Sequence, residues 1–186
     1  DLSIAGKRGG LSASRSGLFF EAMQIIGITR PNYFIFENVK GLFSSNEGRD
    51  WITILREIAN IGYDGQWQLL NTRCVLPQNR ERIYFVGHIR GECRPEIFPI
   101  QKSNKLGNVL PTISAGYRKR RGEDGVFIKI KEKIRFLTEK EIEYLQGFPI
   151  NWTESLSNTQ RYKCLGNAVT VPIVKLIAEK LKKYDF

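Results

Sequence analysis

Residues that bind metals or form cross-links are scarce in this sequence. There is one histidine, His88, and three cysteines, Cys74, Cys93 and Cys164, none in a CxxC pair. So few soft ligands argue against a structural zinc, and no metal is expected. Three scattered cysteines make no disulfide framework and fit a reducing compartment. No apolar run approaches the roughly 18 residues of a membrane span, so no membrane partner is expected. No GxGxxG occurs, so the glycine-rich turn that opens a nucleotide-binding fold is absent. Acidic residues are outnumbered: 19 Asp and Glu stand against 29 Lys and Arg, a formal charge of +10. A polyanionic partner fits that excess. A solvated basic surface is the other reading. The first residue is Asp1 rather than Met, so a fragment is expected and the lack of a targeting segment carries no weight.

The 186 residues are 41% hydrophobic and 26% charged, ordinary values for a globular chain. That length suits one domain, or one with a small appendage, burying roughly 70% of its unfolded surface. The basic excess is uneven. Lys7 and Arg8 lie in a Gly/Ser-rich stretch over residues 1–16, Arg118, Lys119, Arg120 and Arg121 form a dense patch, and Lys180, Lys182 and Lys183 are near the end.

Hydrophobic spacing places the elements. Leu18, Phe19, Ala22, Met23, Ile25 and Ile26 predict an amphipathic helix over 17–29, ended by Arg30-Pro31-Asn32. Tyr33-Phe34-Ile35-Phe36 reads as a strand covered on both faces. Residues 41–48 read as a polar loop. Trp51, Ile54, Leu55, Ile58 and Ile61 predict a second helix closed by Gly62. Residues 66–70 and 83–87 read as two further strands. This order fits the second half of a doubly wound α/β sheet.

Residues 88–134 change character, with several Pro and Gly, the basic patch and a strand-like Val126–Ile130. Thr138-Glu139-Lys140-Glu141 is a capping box before a short helix carrying Ile142 and Leu145, stopped by Gly147 and Pro149. Pro172 sits in the first turn of a last helix whose buried stripe is Val174, Ile177, Ala178 and Leu181. Three segments are expected: 1–87, 88–134 and 135–186.

Three places could carry chemistry. Glu37 ends an apolar strand in Glu37-Asn38-Val39. Desolvation there would keep its carboxyl protonated near neutrality, fit to donate to a ring nitrogen; a solvated strand-end glutamate is the alternative. Arg80 and Arg82 alternate about Glu81, so both guanidinium groups could converge on one ligand while Glu81 pairs elsewhere. A surface ion-pair cluster is the alternative. Gly166-Asn167-Ala168-Val169 reads as a turn at a helix entrance, offering backbone N–H groups and an amide to a small polar ligand, or as a plain N-cap.

Taken together and in order, these segments resemble the DNA (cytosine-5)-methyltransferases. Ser3-Ile4-Ala5-Gly6-Lys7-Arg8-Gly9-Gly10 with Arg15-Ser16-Gly17-Leu18-Phe19 is similar to the mobile loop that follows that family's catalytic Pro-Cys. Glu37-Asn38-Val39 resembles its ENV, and Gln78-Asn79-Arg80-Glu81-Arg82 its QxRxR. Arg135 to Pro149 and Gly166 to Pro172 are similar to its last two conserved blocks. The resemblance implies a Rossmann-like S-adenosylmethionine-dependent methyltransferase sheet, here its C-terminal half, with a small irregular target-recognition region. It implies Glu37 as the acid on the flipped cytosine's N3 and N4 edge and Arg82 on O2, with Arg80 orienting the groups beside them. Asn167, Ala168 and Val169 would lie near S-adenosylmethionine. Ser3, Lys7, Arg8 and Arg15 would contact DNA phosphates, joined by Arg118, Lys119, Arg120 and Arg121.

The departures matter as much. The family's Pro-Cys nucleophile is not among these residues, and none of the three cysteines follows a proline. The recognition region is short for the family. The expectation is cytosine C5 methylation in duplex DNA, as part of a restriction–modification system in the bacterial cytoplasm, by an enzyme of which this chain is a part that is inactive alone. It is completed by a missing N-terminal segment or a partner chain. A non-catalytic DNA-binding subunit of a split enzyme, or an inactive nucleic-acid-binding remnant, are the alternatives, and RNA remains open as substrate.

Overall fold

The computed structural model describes residues 17–92, 95–101, 109–117, 126–130 and 133–184. It forms two compact units. Among the described residues, one holds those within 17–70, 81–100 and 183–184, and the other those within 71–80 and 101–182.

The first unit contains α1 (Gly17–Thr29), β1 (Tyr33–Val39), α2 (Arg49–Asn60), most of β2 (Tyr63–Asn71) and β3 (Glu81–Ile89). The strands form one sheet in the order β1-β3-β2, with β1 antiparallel to β3 and Glu37 opposite Tyr84. Side-chain alternation puts Phe34, Phe36, Ile83 and Phe85 on one face. That face meets Met23 and Ile26 of α1 and Ile54 and Ile58 of α2 in a single core. Two glycines let aromatic rings lie flat across the strands. A Cβ at Gly65 would stand 2.1 Å from the Phe85 ring, and one at Gly87 2.2 Å from the Phe34 ring. The expected strands and helices are all present. The polar loop after β1 is wound into short 3-10 turns over Lys40–Gly48, with Asn46, Glu47 and Gly48 left-handed before α2.

α1 departs from the amphipathic expectation. Met23 and Ile26 are buried, but Leu18, Ile25 and Ile28 are more than half exposed. A helix that is apolar nearly all round ordinarily has cover on more than one side. Ile35 and Phe36 of β1 are likewise only partly buried.

The second unit contains β4 (Phe127–Ile130) and β5 (Lys133–Phe136), paired antiparallel, and α3 (Glu139–Gln146), α4 (Asn158–Asn167) and α5 (Val171–Leu181). Its core includes Ile113, Tyr117, Leu137, Ile142, Tyr162 and Leu165. The capping box forms as read: Thr138 Oγ1 accepts from Glu141 N–H at 3.3 Å and Thr138 N–H donates to Glu141 at 2.7 Å. Arg135 makes a two-pronged pair with the same carboxylate, both contacts 2.8 Å, and lowers its pKa to about 2.

Two expectations are corrected here. The buried stripe of α5 is Ile173, Ile177 and Leu181, and Ala178 is exposed. The phase is set by Pro172, which lies so close to left-handed Gly147 that a Cβ there would stand 2.4 Å from the proline ring. Residues 158–167 are a helix, α4, that sequence reading did not anticipate, because its buried face includes Arg161. That guanidinium meets Glu143, fully buried on α3, at 3.1 Å. Glu143 also accepts from Thr153 N–H at 2.9 Å, from Thr153 Oγ1 and from Asn151 N–H at 2.7 Å. Burial pushes its carboxyl up, but these donors outweigh it and leave the pKa below the ordinary value.

Glu143→Ala should therefore destabilise the fold by about 3–5 kcal/mol, since it strands Arg161 in the interior without its anion. Urea unfolding measures this, and a loss under 1 kcal/mol would mean solvent reaches the arginine. Both Glu141 and Glu143 are held below the ordinary value of 4.5, so their stabilisation is full above it and is lost as pH falls through their folded values, about 2 for Glu141.

Candidate functional site

Strand register builds the site in the first unit. Val39 stands opposite Arg82 and Glu37 opposite Tyr84, so Glu37 and Arg82 are diagonal neighbours. Alternation puts both on the face opposite that covered by α1 and α2, with Tyr84 between them. Arg82 Nε lies 3.1 Å from Glu37 Oε1, and the side chains are only 15% and 20% exposed. Arg82 Nη1 also donates to the Glu81 carbonyl at 2.7 Å, which fixes the guanidinium. Asn38 Oδ1 accepts from Val39 N–H at 2.8 Å and shapes the turn out of β1. Tyr84 is fully buried. Glu37 is thus held beside a cation at the end of an apolar strand.

Arg80 has a different fate from the one its spacing predicts. It precedes β3. Its buried guanidinium donates to three backbone carbonyls of the second unit: Ile113 at 3.1 Å, Gly166 at 3.3 Å and Ala168 at 2.8 Å. Glu81 does pair elsewhere, with Lys40 at 3.0 Å.

The Gly166–Val169 segment joins two helices, and Ala168 and Val169 lead to Thr170, the N-cap of α5. Gly166 and Asn167 end α4, and Ala168 N–H donates back to Leu165 O at 3.3 Å. Gly166 passes so near the Ser114–Ala115 backbone that a Cβ would stand 2.3 Å from it. Asn167 is exposed, whereas Ala168 and Val169 are half-buried. Ser3, Lys7, Arg8, Arg15, Arg118, Lys119, Arg120 and Arg121 lie outside the described residues, as does Cys93. Cys74 is buried in a turn and Cys164 is exposed on α4. Among the described residues no cluster of acids, histidines and cysteines could hold a metal, and no helix is long and apolar enough to cross a membrane.

Two glutamines were missed. Among the described residues Gln78, fully buried, has no hydrogen-bond partner for either amide atom, and Gln146 donates to Leu165 O at 3.1 Å but finds no donor for its oxygen. Only the polar run around Gln78 hinted at a special position.

The described chain is a mixed α/β fold, a central sheet flanked by helices, with an acid–arginine pair at the strand ends. The C-5 cytosine-specific DNA methylase family matches it over residues 1–113 and 90–183, and the chain belongs to that family. It is 35% identical to the Type II methyltransferase M1.ScrFI of Lactococcus lactis subsp. cremoris, over 96% of this chain and 59% of that protein. It is 31% identical to M.NlaX of Neisseria lactamica, over 97% of this chain and 72% of that protein. The chain spans about 60% of the length of M1.ScrFI and of M.SsoII of Shigella sonnei. Among solved structures, an Entamoeba histolytica methyltransferase, EhMeth, superposes with a TM-score of 0.72 at 16% identity, covering 95% of this chain and 71% of that one. The S. pombe Dnmt2 methyltransferase superposes at 0.67 and 18% identity, covering 92% and 74%. These share the Rossmann-like methyltransferase fold.

An unmatched buried amide costs about 1–3 kcal/mol, so Gln78→Met, which keeps the volume, should stabilise the chain by about that amount. A lowered urea midpoint would show that the amide is satisfied after all.

Proposed function

We propose that this chain carries the base-holding part of an S-adenosylmethionine-dependent enzyme that methylates cytosine C5 in duplex DNA. The observation that carries this is the Glu37–Arg82 pair, half-sheltered on one sheet face and presenting an acceptor and a fork of donors 3.1 Å apart. That is the complement of a cytosine edge. Arg82 donates to O2. Glu37 accepts from the N4 amino group and shares a proton with N3, which withdraws electrons from the ring as C6 is attacked. The base must first leave the duplex, since C5 and C6 are shielded by stacking.

S-adenosylmethionine supplies the methyl group when bound. The residues proposed for it fit in part: Asn167 presents its amide to solvent, and the backbone beyond it is fixed by the Arg80–Ala168 bond and by Gly166 seated against Ser114 and Ala115. Arg80 is a positioning residue in this account. It acts on the backbone of 166–168 and not on the base.

The nucleophile is proposed to come from outside these residues, because the family's Pro-Cys dipeptide does not occur among them. The exposed apolar residues of α1 support a covering segment or partner chain. Sequence recognition is proposed for the short segment 88–134. The alignment with M1.ScrFI runs over 228 residues although this chain has 186, so that relative carries residues here without a counterpart. The relatives are named Type II methyltransferases, and for this chain a role in a restriction–modification system on bacterial nucleoid DNA is proposed.

Two measurements test this reading. The chain alone, given tritiated S-adenosylmethionine and mixed-sequence duplex, should incorporate no label above a blank; incorporation would show that nothing outside it is essential. In an enzyme completed with the rest of the fold, Glu37→Gln should lower turnover by about 10²–10⁴-fold with DNA binding largely kept. Unchanged turnover with methyl transfer rate-limiting would remove Glu37 as the acid.

A further inference from the structure

A second charge pair lies at the same strand ends. Continuing the β1–β3 register one step beyond Val39 and Arg82 sets Lys40 opposite Glu81, and their side chains meet at 3.0 Å. By alternation this pair lies on the other side of the ladder from Glu37 and Arg82. It is also far more open, with Lys40 58% and Glu81 42% exposed. The two pairs therefore differ in kind. One is sheltered and suited to a neutral base; the other faces water.

We propose that Lys40 is a phosphate-contact residue, shared between Glu81 in the free protein and a nucleic-acid backbone phosphate in the complex. The proposal rests on the base-holding role of Glu37 and Arg82, because a nucleotide reaching them from the strand ends brings its phosphate to that end of the ladder. An exposed lysine–carboxylate pair contributes little to stability, so exchanging the carboxylate for a phosphate loses little. The gain is electrostatic. Each phosphate neutralised releases counterions and adds about 0.9 to the salt dependence of binding. Glu81 then acts as a keeper. It holds Lys40 in place before binding, neutralises it, and competes with the phosphate for it. Removing the lysine and removing the glutamate should therefore move affinity in opposite directions, whereas a brace between two strands would be weakened by either change.

The molecule contains a matched control. Arg90 and Asp64 form an equally exposed pair at 3.0 Å, at the far end of β3 from the site. The experiment is equilibrium binding of a fluorescently labelled mixed-sequence duplex to the chain across 50–200 mM salt, with thermal midpoints recorded to confirm folding. Lys40→Met should lower the salt slope by about 0.9, so that roughly three-fold less affinity is lost over that range. Glu81→Gln should tighten binding about two- to five-fold with the slope kept, and Asp64→Asn should change nothing. The proposal is overturned if Lys40→Met leaves the slope unchanged, if Glu81→Gln weakens binding as Lys40→Met does, or if Glu81→Gln does no more than Asp64→Asn. Salt-independent binding by the unaltered chain would instead overturn the nucleic-acid reading itself.

Discussion

The buried guanidinium of Arg80 ties three separate stretches of the chain together. A desolvated charge needs hydrogen-bond partners in fixed directions, and Arg80 takes backbone carbonyls from Ile113, Gly166 and Ala168. Those carbonyls belong to segments far apart in sequence, so one side chain sets the spacing of the chain before β3, the strand-like stretch at 110–113 and the end of α4. The local backbone holds Arg80 in turn. Asn71 Oδ1 accepts from Arg80 N–H at 3.1 Å, and the Arg80 carbonyl accepts from Thr72 N–H at 2.8 Å. A lysine could satisfy one of the three carbonyls but not the fork.

This constraint explains why two arginines with the same spacing end in different roles. The boundary between the compact units falls between Arg80 and Glu81. Arg80 is spent on backbone in its own unit, and Arg82 is left as the cation beside Glu37. Alternation along an extended segment predicts which side a residue faces, but not whether its partners are a ligand or the protein's own carbonyls.

What was legible in the sequence follows the same line. The three strands and the first two helices are written in local hydrophobic spacing, and the Thr138–Glu141 cap is written in four residues. Glu37 and Arg82 were found because each ends or begins an apolar run. α4 was not found, because its face is made by Arg161, whose burial makes sense only once Glu143 stands opposite it. The Gly166-Asn167 pair was read as a helix entrance for a related reason. Glycine there is required by the close Ser114–Ala115 backbone, a contact across about fifty residues of sequence that no local pattern encodes. In α5 the spacing gives Ile177 and Leu181 but misses Ile173, which replaces Val174 and Ala178 in the buried stripe beside Pro172 packed on Gly147.

The distribution of polar groups also separates architecture from function. Glu143 is fully buried and every contact it makes is internal, with Arg161, Thr153 and Asn151; such a network fixes a loop and leaves nothing to offer a ligand. Glu37 and Arg82 are paired and mostly sheltered but not closed off, and in the proposed function a base edge takes the place of one charge against the other. Lys40 and Glu81 are paired in water, where the bond is weakest and exchange easiest. Moving from Glu143 to Glu37 to Glu81, the carboxylates become progressively easier to separate from their cations. On the proposed function, a protein that stays folded while admitting a base and then a phosphate backbone needs its charge pairs graded in that order, with the most replaceable one at the strand ends.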